Sequence, residues 1–382
     1  MATASPPQGA SRARRTSNWP RYDAATLGFR HYWYPVMWSK DLGRQPVALR
    51  LLGDPIMLLR ERGKVYAFYD QCPHRGIPLS VGRQDFPGTW SCRYHGWVFD
   101  LQTGALKAAL TDGPDSPICG KVRARTYPVA ERAGLVWVYG GTDTPPPVED
   151  DVPEQFLVPD AVVCGRITVQ RGNWRYAAEN SFDAGHANYL HRNGAVHSFF
   201  RKMPAWSLPT VTPDEGGWIT VQRHALGLEA EYPGLGSYPP RQFWRRIRTR
   251  NRLSIRLPGI VRLKYEGYKH YSFLWLEPVD AQHYRLLQFY VTQARGLEAL
   301  RFRLNYALYI KPFHHIQFNN QDTWMVSLMP ESAPERLYRP DVSITAWQKL
   351  CEQARGEPPA AAPLESPQGE RETTGPAAVP TR

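Results

Sequence analysis

The chain has 382 residues, 42% of them hydrophobic and 21% charged, with a formal charge of +12. At ~150 residues per domain it has room for about two domains, which excludes a disulfide-stapled peptide and a wholly disordered chain. Its five cysteines form an odd set with no disulfide framework and fit a reducing cytoplasm. The N-terminus has no apolar stretch after Arg14-Arg15, and no run of 18 apolar residues occurs, so neither export nor a membrane span is expected. Arginines are spread along the chain rather than gathered on one element, which argues against a nucleic-acid footprint.

In chain order, residues 1–18 are expected to be a disordered tail. Residues 19–145 read as a small antiparallel β domain, with short apolar runs such as Val47 to Leu52, Ile56 to Leu59 and Val65 to Tyr69 cut by Gly53-Asp54 and Arg62-Gly63. Inside it stand Cys72-Pro73-His74 and Cys92-Arg93-Tyr94-His95, with 17 residues between them and with Gly76 and Gly96 just beyond. A last strand, Leu135 to Tyr139, precedes Thr144-Pro145-Pro146-Pro147 and the acids Glu149, Asp150 and Asp151, which read as a stiff, exposed linker.

Two tight loops, each offering one thiol and one imidazole, suit a two-iron, two-sulfur cluster of the Rieske type. There two cysteines bind one iron and two histidines the other, and the potential rises above that of an all-thiolate cluster. Zinc takes the same donors, but its usual spacings pair like ligands with like. Cys72, His74, Cys92 and His95 are therefore the candidate cluster ligands.

Residues 146–352 read as a second, α+β domain, an antiparallel sheet with helices. Its expected elements are strands Val162 to Gln170, Trp218 to Arg223, Tyr271 to Leu276 and Tyr284 to Val291, and helices over Trp174 to Leu190, Leu297 to Ile310 and Ile344 to Ala354. Arg246, Arg248, Arg250 and Arg252 alternate as on one face of a strand, either solvated or docking an acidic electron carrier. Residues 353–382 are rich in Pro, Ala and Glu and are expected to be a disordered tail.

The first of these helices carries Asn180, Asp183 and His186 in steps of three, along one face, with His191 five residues beyond His186. Five residues at about 100° each leave the two imidazoles about 140° apart. To share a site they require a π-type bulge or a helix end near Leu190. Two histidines and one carboxylate with open positions opposite form the facial triad of non-haem iron(II) sites that activate oxygen; the plain alternative is two packed histidines. Asp322, in Phe318-Asn319-Asn320-Gln321-Asp322-Thr323-Trp324, is the best carboxylate, with Glu331 in reserve. Asp183 suits accepting an imidazole N–H from a ligand; Asp183 and Asn180 are the candidate catalytic residues, and His186, His191 and Asp322 the candidate metal ligands.

With both sites in view the chain resembles the Rieske non-haem iron ring-hydroxylating oxygenases, in their terminal oxygenase α subunit. The family's C-x-H and C-x2-H pairs match Cys72, His74, Cys92 and His95, and its D-x2-H-x4-H motif matches Asp183, His186 and His191. LGFRHYWYPVMWSKDL at 27–42, AALTDGPDSPICGKVRARTYPV at 108–129, TPPP at 144–147 and FNNQDTW at 318–324 are similar to the carbazole-dioxygenase type, which supports Asp322 as a ligand. The chain departs from that subgroup in having one residue more between the iron histidines.

The resemblance implies a trimer of identical subunits, or an assembly of several subunits built from them, in which the cluster of one protomer serves the iron of the next, with Asp183 bridging His95 or His74 of one to His186 or His191 of its neighbour. It implies dioxygen as cosubstrate and electrons from NAD(P)H through a reductase and a ferredoxin. The substrate would be a small hydrophobic aromatic molecule, with no nucleic-acid or membrane partner. Ring dihydroxylation, hydroxylation and aryl-ether O-demethylation all remain open. A Rieske electron carrier without catalysis, or a zinc-stabilised binding protein, is the competing class. Phe182, Tyr189, Phe199, Phe200, Trp206, Phe273 and Trp275 are candidate pocket walls, or simply core.

Overall fold

The computed structural model describes residues 18–183, 185–191, 207–225, 230–232, 234, 236–238, 251–265, 267–330 and 335–357. The proposed tails, apart from Asn18 and residues 353–357, lie outside these residues, as do Phe199, Phe200, Trp206, Arg246, Arg248, Arg250 and Glu331.

The N-terminal half is built of short antiparallel strands, as the turn-punctuated sequence demands. Strand Asp54–Glu61 pairs with Val47–Leu51 on one side and Lys64–Tyr69 on the other, and Thr126–Tyr127 closes that sheet. A second sheet orders Trp33–Trp38, Leu135–Tyr139 and Val129–Arg132; a third orders Thr89–Ser91, Trp97–Asp100 and Leu106–Ala109. Met57, Leu59, Phe68, Leu79, Trp90 and Phe99 form a core beneath Cys72 and Cys92.

The second half is organised on an antiparallel sheet of seven strands among the described residues, in the order Ala161–Arg171, His283–Gln293, Tyr271–Pro278, Ile260–Tyr265, Asn251–Arg256, Trp218–Ala225 and Ser207–Asp214. Alternation along the central strands sends successive side chains to opposite faces. Leu287, Phe289, Phe273 and Trp275 pack against Trp33 and Trp137 of the N-terminal half. Tyr284, Leu286, Leu276 and Val261 pack on the other face, with Trp174, Ala177 and Phe182 of the helix Trp174–Phe182. Both faces are thus covered, and each fully buried large side chain contributes roughly 1.5–3 kcal/mol. Phe273, Trp275 and Phe182 belong to these cores, while Tyr189 is exposed.

Three expectations are corrected. The segment after Pro147 is not an exposed linker: Val148 and Asp151 are buried. Asp151 accepts from Trp33 N at 2.8 Å, and Arg355 Nη2 donates to both its carboxylate oxygens at 2.6 Å. The same contact anchors the start of the proposed C-terminal tail, where the Arg355 guanidinium lies 3.9 Å from the centre of the Tyr32 ring. The expected helix from Trp174 to Leu190 ends at Phe182, Asp183 takes an extended backbone, and a single turn resumes at Ala187–Leu190. The physical reason is Asp183 itself, whose carboxylate accepts from Gly185 N at 2.6 Å and His186 N at 3.1 Å, as a helix N-cap does.

The expected helix from Leu297 runs further than its apolar pattern indicated. Gly296–Asn305 passes into wide π-type turns over Tyr306–Phe318, which contain Pro312, and continues as Asn319–Leu328. Among the described residues no helix is long and apolar enough to cross a membrane.

The N-terminal segment Pro20–Ala24 ties the helices together. Trp174 Nε1 donates to Ala25 O at 2.7 Å, and the ring meets Phe29 and Trp347 edge-on at 5.8 and 6.2 Å. Tyr22 Oη donates to Glu179 Oε1 at 2.5 Å and Gln348 Nε2 to the same oxygen at 2.9 Å. Burial pushes the Glu179 carboxyl up from 4.5 to about 7, against the pull of those two donors. Because the folded pKa exceeds the unfolded one, the stability it contributes is full below the unfolded value and is lost as pH rises through the folded value. Denaturant titrations at pH 5 and pH 8 should therefore show the wild type losing up to about 3 kcal/mol more than Glu179→Gln, at ~1.4 kcal/mol per pKa unit; equal slopes would contradict this.

Candidate active site

The two Cys–His loops are one structure built twice. Cys72 N donates to Ile77 O and Gly76 N to Cys72 O, both at 2.8 Å; Cys92 N donates to Trp97 O at 2.8 Å and Gly96 N to Cys92 O at 3.1 Å. The glycine closes each loop four residues after its cysteine, at φ +73° and +64°, a region costly for other residues. The histidine sits two residues after the first cysteine and three after the second, yet the imidazoles of His74 and His95 meet with centroids 4.5 Å apart. His74 also stacks on Trp97 at 4.7 Å.

Both thiols are buried and within hydrogen-bonding reach of one another. Burial first, and then the neighbouring Cys92, push the Cys72 thiol up to about 11. A thiol held up in this way, as Cys72 is, ionises readily only beside a bound cation. Among the described residues His95 Nδ1 is buried without a hydrogen-bond partner. Two thiols and two imidazoles, converging with that nitrogen unused, fit an iron–sulfur cluster.

The second site joins the helix break to the far helix. Nε2 of His186 and Nε2 of His191 each lie 3.2 Å from the same oxygen, Oδ1 of Asp322. Ligand atoms of the three residues fall within 4.8 Å of one another, among buried and half-buried groups, which fits one metal ion. Burial opposes charge on both sides here, yet the pairing wins. Asp183 and Asp322 hold the His186 imidazole up to about 9, and His186 and His191 hold the Asp322 carboxyl down to about 2. Three polar groups arranged to balance a charge among themselves are suited to share a divalent cation.

Each donor is oriented from behind. His186 Nδ1 stands 3.4 Å from Asp183 Oδ2, and His191 Nδ1 stands 3.0 Å from Gln321 Oε1. In each imidazole this leaves Nε2 to face Asp322, the way partners of metal-bound histidines fix a tautomer. Asn180 Nδ2 donates to Asp322 Oδ1 at 3.1 Å, and the Phe318 ring stacks on His191 at 3.5 Å.

Residues 32–125 match the family model described as a Rieske [2Fe-2S] domain, and residues 139–210 match one described as a homotrimeric ring hydroxylase. The terminal oxygenase component of carbazole 1,9a-dioxygenase from Metapseudomonas resinovorans is 31% identical over 363 residues, covering 88% of this chain and 94% of that protein. The chain belongs to the Rieske non-haem iron ring-hydroxylating oxygenases. A solved structure of the reduced complex between oxygenase and ferredoxin in carbazole 1,9a-dioxygenase superposes with a TM-score of 0.77 at 29% identity, covering 91% of this chain and 96% of that one. A partial match, 30% over 168 residues and 43% of this chain, is the oxygenase subunit of 5,5'-dehydrodivanillate O-demethylase from a Sphingobium species.

As a Rieske oxygenase the protein uses a [2Fe–2S] cluster, mononuclear iron and dioxygen; the cluster supplies single electrons and the iron the oxygen chemistry. The thiols of Cys72 and Cys92 meet and so do the imidazoles of His74 and His95, while His186, His191 and Asp322 gather round one centre. Asn180 and Asp183 do not share a helix face with His186 as expected: Asn180 reaches the carboxylate of Asp322, and Asp183 lies behind His186. Gln321 was missed, because an amide beside an acid carries no signal until the imidazole it orients is in place.

Replacing Asp322 or His186 with alanine should remove one iron of three per chain and keep two acid-labile sulfides with the visible spectrum unchanged. Gln321→Leu should weaken iron binding about 10- to 100-fold, read by competition with a chelator; loss of sulfide in any of these variants would contradict the separation of the two sites.

Proposed function

We propose that this chain is the oxygenase component that hydroxylates or dihydroxylates a hydrophobic aromatic substrate in a multicomponent system. Electrons come from NAD(P)H through a reductase and a ferredoxin, in the cytoplasm. The observation that carries this reading is the meeting of two Nε2 atoms on one oxygen of Asp322, which an electron carrier would not need. In this reading residues 19–145 form the cluster domain and 146–352 the catalytic domain. Cys72, His74, Cys92 and His95 hold the cluster, and His186, His191 and Asp322 hold the iron. Asn180 keeps the Asp322 carboxylate turned toward the metal.

Asp183 is the link between the two centres. Its carboxylate caps the turn that carries His186 while 22% of its side chain stays accessible in the single chain. In a homotrimer that accessible edge would accept an N–H from a cluster histidine of the next protomer. Head-to-tail packing about a three-fold axis closes such a ring. Removal of a methyl group from an aryl ether is the second reading, favoured by the partial match to an O-demethylase.

Asp183→Asn, which keeps an oxygen to cap the turn of His186, should leave three irons and two sulfides per chain and abolish NAD(P)H-driven product formation, while the cluster still accepts electrons. Unimpaired turnover in that variant would remove Asp183 from the pathway. Oxygen uptake across a panel of aromatic hydrocarbons, heterocycles and aryl methyl ethers, with products identified, separates the readings: diols, or phenols formed without formaldehyde, support the first, and a phenol released together with formaldehyde supports the second. The absence of oxygen uptake with all of them would sink both.

A further inference from the structure

The strand His283–Gln293 carries Gln288 at its middle, on the face that looks toward the helices. Alternation places it between Leu286 and Tyr290, and directly opposite both Leu274 and Arg166 on the flanking strands. Leu274 and Leu286 line a small cavity shared with Asn180 and Asp322. On its other side Tyr290 lies against His315, with ring centroids 5.4 Å apart. The Gln288 side chain therefore points into the layer between the sheet and the helical arm that carries the iron ligand Asp322.

Gln288 has no exposed surface, and among the described residues neither its Nε2 nor its Oε1 has a hydrogen-bond partner. Arg166, the nearest cation along the register, donates instead to the carbonyl of His315 at 3.1 Å. Leaving a buried donor or acceptor unsatisfied costs about 1–3 kcal/mol for each group, and protein interiors keep few such groups without a reason. A leucine of similar size would avoid the cost. His315 Nε2, on the helical arm that lies against Tyr290, is likewise buried without a partner among the described residues, so the layer beside the iron site holds more polarity than its own contacts use.

We propose that Gln288 is a specificity-determining residue, its carboxamide pairing with a hydrogen-bonding group on the aromatic substrate. This inference rests on the oxygenase reading above and narrows its substrate class. One edge of a carboxamide offers a donor and an acceptor side by side. The matching substrate feature is an adjacent N–H and C=O, as in a lactam or an aryl carboxamide, rather than a bare hydrocarbon. A site built to pair with such a group rejects an analogue that lacks it far more strongly than an apolar pocket rejects an extra methylene.

The test compares phenanthridinone, a tricyclic lactam, with phenanthrene, the hydrocarbon of the same ring outline, by equilibrium binding to the iron-loaded enzyme without electron donors. The wild type should bind the lactam at least about tenfold more tightly, a ratio set by roughly one net hydrogen bond. Gln288→Leu should bring the ratio to within about threefold of unity, with phenanthrene binding no weaker and iron content unchanged. An unchanged ratio in the variant, no preference in the wild type, or no binding of either probe overturns the inference. Thermal unfolding of the ligand-free proteins guards against a structural role: Gln288→Leu should melt at or above the wild type, and a clear fall would reveal a structural hydrogen bond and overturn the assignment. Failure of the oxygenase reading would show differently, as missing iron or absent NAD(P)H-dependent oxygen uptake.

Discussion

A single carboxylate oxygen sets the geometry of the catalytic half. Oδ1 of Asp322 receives Asn180 and faces both imidazoles, so four side chains from three stretches of chain are fixed by one atom. Gathering charged and polar groups in an interior is unfavourable unless each is paired. Here the pairing is internal, and it leaves the two Nε2 atoms and the carboxylate pointing at a common centre. The rest of the fold can be understood as what holds those stretches at that distance.

Two devices do so. The first is the interruption at Asp183: a continuous helix would carry His186 and His191 to different sides, and the cap at Gly185 and His186 turns the chain so that both face the arm with Asp322. The second is the seven-stranded sheet, rigid because both faces are covered. Its Phe273, Trp275 and Phe289 face the cluster half, and its Tyr284 and Leu286 face the helices. The sheet is therefore the common wall against which the N-terminal half and the iron-binding helices are both positioned. The cluster half needs less: two copies of one short loop, each closed by a left-handed glycine, set on their own small core.

What could be read from the sequence follows the range of the interactions involved. Cys72, His74, Cys92 and His95 were legible because each pair is a local loop whose spacing reflects its closure. The pair His186 and His191 was legible as a problem, since their angular separation demanded a break. The break lies at Asp183, earlier than Leu190, because the capping strength of a carboxylate with glycine two residues on outweighed the helical pattern. Strands such as Trp218–Ala225 and His283–Gln293 extend the expected ones by a residue or two at their ends. Asp322 came from local composition strengthened by family likeness. Asp151 with Arg355, Glu179 with Tyr22, and the bare amide of Gln288 carry no local mark, since each is defined by a partner, or the lack of one, far away in the chain.

On the function proposed above, the two metal centres act as one relay across a protomer boundary, with Asp183 at the junction. Mixed assemblies test it most directly: subunits carrying Cys72→Ser, which lack the cluster, coexpressed with differently tagged subunits carrying Asp322→Ala, which lack the iron. Each is expected to be inactive alone, and oligomers purified through both tags should recover NAD(P)H-driven product formation. Mixed oligomers of confirmed composition that form no product would contradict transfer between neighbours.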